Sequence, residues 1–559
     1  MTTDQKPVLS IKNLSVAFRS GTSIVDAVRD ISFELYPGET LAILGESGSG
    51  KSVSALAIMG ILDSPPGFLR GGEVYLDGSE ILSKTRSERR QLMGEKIAMI
   101  FQDTLAHLNP VYSVGWQIAE SFRTHRELPK HEAHERAVDL LDQVGIPNAS
   151  RRAKDFPHQF SGGQRQRVMI AMALALEPQI LIADEPTTAL DVTVQAKILD
   201  LLIELRNQRD MGLIMITHDL GVAAEVADRI LVMNNGEIVE QGPVTQIYAN
   251  PQHSYTKKLL GAIPGLGSYR ESQQSQLSDS ATPILSVRDL NKTYISEGGF
   301  LSKHTEEIVK ACDKVSFDLY QGETLGIVGE SGSGKTTLAN ILLKLIEPSS
   351  GSALYKGEDI FSMKGTALLK LRRQVQVVFQ DPYASLNPRM SVFDIICEPW
   401  IIHTDVVEKS EYKERVMQLL QSVGMQPEHA DRYPHEFSGG QRQRIAIARA
   451  LALQPEIIIC DEAVSALDVS VQAQIIDLLA SLRDKFGLSY LFIAHDLPVV
   501  KELADRVIVM KAGEIVERGT VQQIFDHPQN PYTIELLSAN PIADPEQVED
   551  RRQRRGITL

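Results

Sequence analysis

The pattern of apolar and polar positions predicts short buried strands that each run into a polar or glycine-rich loop. The runs "TLAILG" (40–45), "ILIADE" (180–185) and "LIMIT" (213–217) are apolar almost throughout. Continuous apolar runs of this length are typical of strands covered on both faces. The segment "KSVSALAIMGIL" (51–62) follows the first run and is helix-like. The pattern therefore predicts a strand, a tight glycine turn and a helix in succession.

The whole pattern occurs twice along the chain. "FSGGQRQRVMIAMALALEP" (160–178) returns as "FSGGQRQRIAIARALALQP" (437–455), an offset of 277 residues. The glycine-rich segments "GESGSGKS" (45–52) and "GESGSGKT" (329–336) are 284 residues apart. The first copy thus has a few additional residues between these motifs, which we expect in a surface loop.

The repeat sets the expected domain organisation. Between the copies, "GSYRESQQSQLSDSATP" is polar and rich in serine and glutamine, which is typical of a flexible tether. The arginine-rich "EDRRQRRG" near the end indicates a solvated tail or, alternatively, a segment that contacts lipid head groups. We predict a first domain at 1–266, a linker at 267–283, a second domain at 284–545 and a basic tail at 546–559.

Composition narrows the class of protein. The 559 residues are 43% hydrophobic and 23% charged, as in soluble globular proteins. The longest uninterrupted apolar run, Val168 to Leu176, is far below the roughly 20 residues that cross a bilayer. The N-terminus lacks a secretion-signal pattern, so we expect a cytoplasmic location. The net charge of −15 disfavours a protein that tracks nucleic acid.

The cysteines indicate no metal or disulfide framework. Cys312, Cys397 and Cys460 are far apart in the sequence. Zinc and iron–sulfur sites show close ligand spacing. We therefore predict buried, reduced thiols.

The two glycine-rich segments match the phosphate-binding pattern G-x-x-x-x-G-K-[ST] in the context that gives the pattern meaning, after a strand and before a helix. Glycines allow backbone N–H groups to converge on phosphate oxygens, and the helix N-terminus adds positive potential. We expect Lys51 and Lys335 to reach the terminal phosphates of a nucleotide, and Ser52 and Thr336 to ligate Mg²⁺. The predicted loop residues are Gly45, Ser47, Gly48, Gly50, Lys51 and Ser52, with Gly329, Ser331, Gly332, Gly334, Lys335 and Thr336.

Acidic pairs and histidines end the other apolar runs. Asp184 and Asp461 are expected to hold Mg²⁺, often through water. Glu185 and Glu462 follow them and are candidates for the general base that activates water. His218 and His495 each lie 34 residues after the aspartate, a repeated spacing that favours contact with the γ-phosphate over a structural role.

A serine-led motif is the most specific signal in each copy. Ser161 to Gln164 and Ser438 to Gln441 both read "SGGQ", and each stands where a helix should begin. A serine at this position caps a helix whose free N–H donors suit an anion. The residues concerned are Ser161, Gly162, Gly163 and Gln164, with Ser438, Gly439, Gly440 and Gln441.

Each copy contains the same motifs in the same order: the glycine loop, "FQD" (101–103; 379–381), "SGGQ", the acidic strand, "TALD" or "SALD", and the histidine. This order resembles that of the ATP-binding-cassette (ABC) ATPases. The resemblance covers nearly the whole chain, twice. It implies an α/β fold with two tandem nucleotide-binding domains, each with a P-loop RecA-like core, an antiparallel β subdomain and a helical signature subdomain. It also implies ATP and Mg²⁺ as ligands and ATP hydrolysis as the activity.

The resemblance further assigns roles residue by residue. Phe18 and Tyr294 look like the aromatic residue that stacks on adenine, with a core aromatic as the alternative. Gln102 and Gln380 resemble the glutamine that senses Mg²⁺, and Asp191 and Asp468 the aspartate that touches the opposite copy. Head-to-tail pairing is implied, with Lys51 and Glu185 facing Ser438, and Lys335 and Glu462 facing Ser161.

The copies also differ. Met172 stands where the second copy has Arg449, and "EPTT" faces "EAVS". These differences make strict equivalence of the two sites doubtful. Each copy keeps its glutamate, histidine and signature serine, so we predict that both sites hydrolyse ATP.

Two further pairs of segments resemble the dipeptide, oligopeptide and nickel importer branch of this family: "QDTLAHLNP" with "QDPYASLNPRM", and the tails "NPQHSYTKKLL" with "HPQNPYTIELL". Within that branch, the chain resembles the fused ATPases of glutathione and microcin C or peptide importers. The resemblance implies a peripheral protein at the cytoplasmic face of the membrane. Its expected partners are two permease subunits, whose coupling helices dock near 102–110 and 380–388, and an external solute-binding protein.

Other classes remain open from the sequence alone. They are a nickel-chelate or opine importer, an exporter, and a soluble twin-cassette ATPase that acts on ribosomes or DNA. The importer-type tails argue against the exporter. The short Ser/Gln-rich linker, the small number of cysteines and the acidic charge disfavour the twin-cassette ATPase.

Overall fold

The computed structural model describes residues 6–21, 23–187, 190–262, 282–296, 307–465 and 467–548. These residues form two compact units, one of residues up to 262 together with 538–548, the other of residues 282–537. Most of the predicted linker (267–283) and of the predicted tail (546–559) lies outside the described residues. The domain boundaries therefore stay predictions.

The strands of the first unit form two sheets. A four-stranded antiparallel sheet has the order β2-β1-β4-β5, and a six-stranded sheet has the order β10-β9-β3-β8-β7-β6. In the larger sheet, β6, β7, β8, β3 and β9 run parallel, while β10 is antiparallel. The strands are β1 (Leu9–Ser20), β2 (Ser23–Leu35), β3 (Thr40–Leu44), β4 (Gly67–Leu76), β5 (Ser79–Glu80), β6 (Ile97–Ile100), β7 (Ile180–Asp184), β8 (Gly212–Thr217), β9 (Arg229–Asn234) and β10 (Glu237–Pro243).

The helices of the first unit flank the larger sheet and form a separate apolar cluster around residues of α4, α5 and α7. They are α1 (Lys51–Met59), α2 (Arg86–Leu92), α3 (Thr104–His107), α4 (Val114–His125), α5 (Lys130–Gln143), α6 (Ala149–Arg152), α7 (Gly162–Leu174), α8 (Val192–Arg209), α9 (Leu220–Val226), α10 (Val244–Ala249) and α11 (Ser254–Gly261).

The second unit repeats this design. Its antiparallel sheet has the order β12-β11-β14-β15, and its larger sheet has the order β16-β17-β18-β13-β19-β20. The strands are β11 (Leu285–Ser296), β12 (Glu307–Leu319), β13 (Thr324–Val328), β14 (Ser350–Tyr355), β15 (Glu358–Asp359), β16 (Val375–Val378), β17 (Ile457–Asp461), β18 (Ser489–Ile493), β19 (Arg506–Lys511) and β20 (Glu514–Thr520).

The helices of the second unit follow the same order, except that a 3₁₀ turn at Pro427–Asp431 takes the place of α6. They are α12 (Lys335–Leu342), α13 (Gly365–Gln374), α14 (Pro382–Ser385), α15 (Val392–Ile402), α16 (Tyr412–Ser422), α17 (Gly439–Leu451), α18 (Val469–Phe486), α19 (Leu497–Leu503), α20 (Val521–Asp526) and α21 (Pro531–Ala539). The helices α7 and α17, which follow the serines of the two SGGQ motifs and are called the signature helices below, begin at Gly162 and Gly439, where the sequence predicts them.

The parallel strands explain how distant motifs meet. Every residue of β3, β7 and β8 is buried, as their continuous apolar sequences predict. Carboxyl ends of parallel neighbours lie at one edge of a sheet, which is where ligands bind in open α/β folds. The glycine loop after β3, the acidic pair at the end of β7 and the histidine after β8 therefore share this edge.

The last described segment of the chain, 538–548, packs with the first unit. Ala539 forms a small buried cluster with Val192 and Ala196 of α8. Pro541 lies against Gly221 of α9, where an added Cβ would come within 2.9 Å of the Pro541 Cβ and carbonyl oxygen. The segment 538–548 thus touches two helices that follow predicted nucleotide-site motifs.

Among the described residues, no helix combines the length and the apolar character needed to cross a membrane. All three cysteines are buried and free of disulfides, as predicted.

Candidate functional site

The glycine loop of the first unit holds its lysine against its own backbone. The Lys51 ammonium donates to the carbonyl oxygens of Gly45 at 2.7 Å and of Glu46 at 2.9 Å. Gly50 adopts a φ of 101°, and an added Cβ would lie 2.5 Å from the Ala27 carbonyl oxygen. Only glycine fits this turn, because both the backbone conformation and the close approach exclude a side chain.

The second loop repeats the arrangement. The Lys335 ammonium donates to the carbonyl oxygens of Gly329 at 2.6 Å and of Glu330 at 2.9 Å. Gly334 adopts a φ of 103°, and an added Cβ would collide with the Ala311 carbonyl oxygen. The helices α1 and α12 begin at the lysines, so their N-termini point toward the loops.

A hydroxyl and a buried carboxylate meet beside each loop. Ser52 Oγ donates to Asp184 Oδ1 at 3.0 Å, and Thr336 Oγ1 donates to Asp461 Oδ1 at 3.3 Å. Burial raises the pKa of Asp184 to about 6, helped by the charge of Glu185 and opposed by Ser52. Burial and the charge of Glu462 likewise raise the pKa of Asp461 to about 6.

The candidate base of the first unit is held by two side chains. The Gln102 amide donates to Glu185 Oε2 at 2.6 Å, and His218 Nδ1 lies 3.0 Å from Glu185 Oε1. The Glu185 N–H donates to the Ile216 carbonyl oxygen at 2.9 Å, which ties the residue to β8. Its φ of 45° is unusual for a residue with a side chain, and such strain concentrates at functional sites.

The second unit gives Glu462 the same surroundings. The Gln380 amide donates to Glu462 Oε2 at 2.7 Å, His495 Nδ1 lies 3.3 Å from the same carboxylate, and φ is 49°. Burial alone would raise the pKa of Glu462, but the hydrogen bond and charge of His495 outweigh it, so the pKa is lowered. The hydrogen bond that His495 donates to Glu462 in turn raises the pKa of His495.

The signature serines lie in capping boxes at the start of α7 and α17. The Gln164 N–H donates to Ser161 Oγ at 3.4 Å, and the Ser161 N–H donates to Gln164 Oε1 at 3.3 Å. Ser438 and Gln441 make the same pair at 3.4 Å and 3.1 Å. Each capping box joins the serine and the glutamine of one SGGQ motif and so fixes the start of its helix.

Other predicted residues lie further out. Phe18 is half-buried near the end of β1, and Tyr294 is 41% exposed on β11 beneath the Lys292 ammonium. Asp191 and Asp468 are the N-cap residues of α8 and α18. Their roles toward adenine and toward the opposite copy stay predictions.

The loops and carboxylates fit a phosphate ligand with a divalent cation. Each loop joins a lysine, a helix N-terminus and glycines whose space a Cβ would fill. Burial disfavours the charged form of each aspartate, so a bound divalent cation would lower the pKa that burial raises. Hydroxyl, carboxylate and amide oxygens are ligands that Mg²⁺ accepts.

Sequence reasoning missed Tyr255 and Tyr532. Their hydroxyl oxygens accept hydrogen bonds from the N–H groups of Glu46 and Glu330, inside the glycine loops. The available signal was the repeated "SYT" and "PYT" in the tails that follow each copy.

Two family models match the chain, each of them twice. The model described as "ABC transporter" covers residues 28–188 and 312–465. The model described as "Oligopeptide/dipeptide transporter, C-terminal region" covers residues 239–286 and 516–558.

Full-length relatives and solved structures also match. The glutathione import ATP-binding protein GsiA of Pectobacterium atrosepticum is 49% identical over 99% of this chain and 92% of its own length. Its counterpart from Escherichia coli K12 is 49% identical over 98% of this chain and 92% of its own length. The ATP-binding cassette MJ0796, solved as a dimer with ADP and Pi, is 32% identical over 42% of this chain and 98% of its own, with a TM-score of 0.39.

Proposed function

The chain belongs to the ABC transporter family and carries two ATP-binding cassettes in one polypeptide, and from this premise we propose that it powers solute import. Both cassettes hydrolyse ATP, and the energy drives peptide-like solutes of the dipeptide, oligopeptide or glutathione class through a separate membrane permease. The full-length likeness to glutathione import ATP-binding proteins supports the solute class. The matched peptide-transporter C-terminal regions support it as well.

One observation carries the proposal: the same constellation of side chains forms in both cassettes. In each, a lysine lies in the glycine loop, a hydroxyl faces a buried aspartate, and a glutamate is held between a glutamine and a histidine. A glycine-rich turn alone would not bring these groups together at one sheet edge.

The glutamates act on the attacking water. Glu185 and Glu462 orient a water molecule and accept its proton, while the neighbouring carboxylates of Asp184 and Asp461 accept hydrogen bonds from Ser52 and Thr336. The lowered pKa of Glu462 keeps it ionised at neutral pH. His218 and His495 fix the orientation of these carboxylates and lie ready to contact the γ-phosphate.

The lysines and the helix N-termini bind the phosphates. Lys51 and Lys335 exchange a backbone carbonyl for phosphate oxygens, which compensates their buried charge. Mg²⁺ would be held by Ser52, Gln102 and Asp184 in the first cassette and by Thr336, Gln380 and Asp461 in the second. When bound, Mg²⁺ neutralises charge on the phosphates.

The signature helices complete the sites in this proposal. The capped N-termini at Ser161 and Ser438 present backbone N–H donors that suit a γ-phosphate. Head-to-tail pairing of the two halves would bring Ser438 to the ATP on Lys51 and Ser161 to the ATP on Lys335. ATP binding would then close the clamp, and hydrolysis would open it.

The permease docks beside the glutamine loops, through coupling helices that enter near 102–110 and 380–388. The first cassette exposes Val111, which is 71% accessible, and a stacked pair formed by Tyr112 and Trp116, whose ring centres are 4.1 Å apart. The second exposes Tyr383, which is 60% accessible, under the Arg442 guanidinium. Exposed aromatic groups next to a catalytic loop suit a partner that senses the nucleotide state.

The proposal places the chain at the cytoplasmic face of the membrane as a peripheral subunit. An external solute-binding protein would deliver the cargo, and the chosen cargo depends on that protein and on the permease. A nickel chelate or an opine is the alternative cargo class.

Fractionation with and without co-expressed permease subunits tests the proposal. We expect the chain to sediment with membranes only when those subunits are co-expressed, and these membranes to hydrolyse ATP faster when binding protein and a peptide are present. The variant carrying Lys51→Ala and Lys335→Ala should sediment equally but lack hydrolysis. Sedimentation with ribosomes, or with membranes that lack the permease, would contradict the proposal.

A further inference from the structure

A tyrosine from the C-terminal extension of the first cassette reaches the phosphate-binding loop. The Glu46 N–H donates to the Tyr255 hydroxyl oxygen at 3.1 Å, across 209 residues of sequence. Tyr255 lies in the first turn of α11, within the region matched by the peptide-transporter C-terminal model. The extension is therefore in direct contact with the loop.

The second cassette makes the same contact independently. The Glu330 N–H donates to the Tyr532 hydroxyl oxygen at 3.2 Å. Tyr532 is only 5% exposed, its N–H donates to Asn530 Oδ1 at 2.9 Å, and the Lys511 ammonium lies 4.4 Å from its ring centre. A rigidly held tyrosine thus recurs at the same loop position.

The tyrosine and the lysine hold opposite ends of one peptide group. The Glu46 N–H and the Gly45 carbonyl belong to the same planar peptide, and the Lys51 ammonium donates to that carbonyl at 2.7 Å. In the second cassette, Lys335 donates to the Gly329 carbonyl at 2.6 Å. Because the peptide is planar and stiff, rotating it away from the tyrosine would also turn the carbonyl that orients the lysine.

We propose that Tyr255 and Tyr532 are positioning residues for ATP binding, which hold the first peptide of each loop and through it the lysine ammonium. The C-terminal extension is then part of the nucleotide site rather than an appendage. The inference rests on the proposed ATPase function and adds residues to its machinery. It predicts a defect confined to ligands whose terminal phosphates the lysine reaches.

The test compares nucleotide affinities of full-length variants. In Tyr255→Phe, Tyr532→Phe and the double variant, the ring stays and only the hydroxyl is lost. We expect the dissociation constant for Mg·ATP to rise about three- to tenfold at each altered site, the range for one lost hydrogen bond. Competition by AMP, which lacks the terminal phosphates, should change less than about twofold.

Tyr248→Phe is the matched control. Tyr248 lies in α10 of the same C-terminal extension, and its hydroxyl donates to the Leu220 carbonyl oxygen. The second cassette has Phe525 at the equivalent position. This variant should bind Mg·ATP as the wild type does. Circular dichroism without nucleotide checks that each variant is folded.

The possible results distinguish a failure of the proposed tyrosine role from a failure of the proposed ATPase function. Wild-type affinity for Mg·ATP in the double variant would overturn the role of the tyrosines while leaving the ATPase proposal intact. An equal loss of ATP and AMP binding, or an equal loss in Tyr248→Phe, would also overturn it, because the effect would then be a general loosening of the extension. A wild-type chain that binds no ATP would overturn the proposed function and this inference together.

Discussion

The two cassettes agree at the nucleotide site and differ just behind it. In the second, Arg449 of α17 donates to the Ser385 carbonyl at 2.8 Å, which ties the signature helix to the end of α14. In the first, Met172 occupies the equivalent position and borders a cleft of about 260 Å³. Phe101 and His107 stack at 4.0 Å on the rim of that cleft, and His107 is the counterpart of Ser385.

This comparison indicates where the repeats are free to diverge. The contacts of the lysines and candidate bases have closely similar lengths in both cassettes, at 2.7 and 2.6 Å from lysine to glycine carbonyl and 2.6 and 2.7 Å from glutamine to glutamate. The support behind the segment that follows each glutamine differs. That segment is the proposed docking region, so two different permease subunits would meet two differently braced surfaces.

The largest expected effect concerns the equality of the sites. Changing Glu185 and Glu462 together to Gln should reduce ATP turnover by at least about 100-fold, since the acceptor for the water proton is lost. If both sites hydrolyse, the two single variants should lose comparable fractions of the activity, measured as phosphate release. Steady turnover in the double variant would contradict the assignment of the base, and a silent single variant would break the symmetry of the pair.

The buried aspartates Asp184 and Asp461 should make the stability of both cassettes depend on pH in the same way. Their folded pKa of about 6 lies above the ordinary value of 3.8, so the native state binds more protons between these values and loses stability as pH rises through that window. Asp184→Asn and Asp461→Asn should each stabilise the nucleotide-free protein at pH 7.5 by up to about 3 kcal/mol.

Calorimetry across pH checks this prediction. The gain should shrink as pH falls below about 6 and vanish below about pH 3, where the wild-type carboxyls are protonated in both the folded and the unfolded state. Asp142→Asn, at an exposed position, serves as the control. A gain that does not depend on pH would refute the account, and a gain in one cassette only would break the comparison.

Local features of the site follow from the sequence because they depend on neighbours in the chain. The buried strands, the glycine turns and the serine caps are set by runs of apolar residues, by φ and by adjacent side chains. The meeting of Gln102, Glu185 and His218 also follows, since parallel strands that end in these motifs share an edge.

Contacts between distant elements do not follow in the same way. The pairing of Tyr255 with Glu46, of Arg449 with Ser385, and of Pro541 with Gly221 depends on how helices pack against one another. No apolar period or turn residue encodes these partners. The substitution of Met172 for Arg449 was visible in the repeat, yet its consequence for the cleft needed the fold.

Exchanging the bracing residue tests the difference between the cassettes. Arg449→Met should destabilise the second cassette by about 1 to 3 kcal/mol, because the Ser385 carbonyl loses its donor. In a Trp116→Phe background, the fluorescence of Trp400 reports on that cassette alone, since the chain has two tryptophans. Trp400 is 1% exposed and donates to the Ala452 carbonyl at 2.8 Å, so its emission should follow unfolding in urea.

The control for this exchange is Met172→Leu, followed through Trp116 of the first cassette in a Trp400→Phe background. This change conserves volume beside the cleft and should leave the urea midpoint nearly unchanged. Equal midpoints for Arg449→Met and its parent would show that the arginine does not brace α14.

The smallest expected effect concerns the contact between α9 and the last described segment, 538–548. Gly221 lies against Pro541, whereas the second cassette has Pro498 at the equivalent place in α19. A Cβ at Gly221 would sit 2.9 Å from the Pro541 Cβ, so Gly221→Ala should force the segment outward at a cost of about 1 kcal/mol. Limited proteolysis should then cut more readily within 538–548.

Pro498→Gly is the control and should leave that cleavage unchanged, because its cost comes from the entropy of the unfolded chain. Cleavage of Gly221→Ala at the wild-type rate would mean that the glycine is not needed for this contact, and the asymmetry between α9 and α19 would then be neutral.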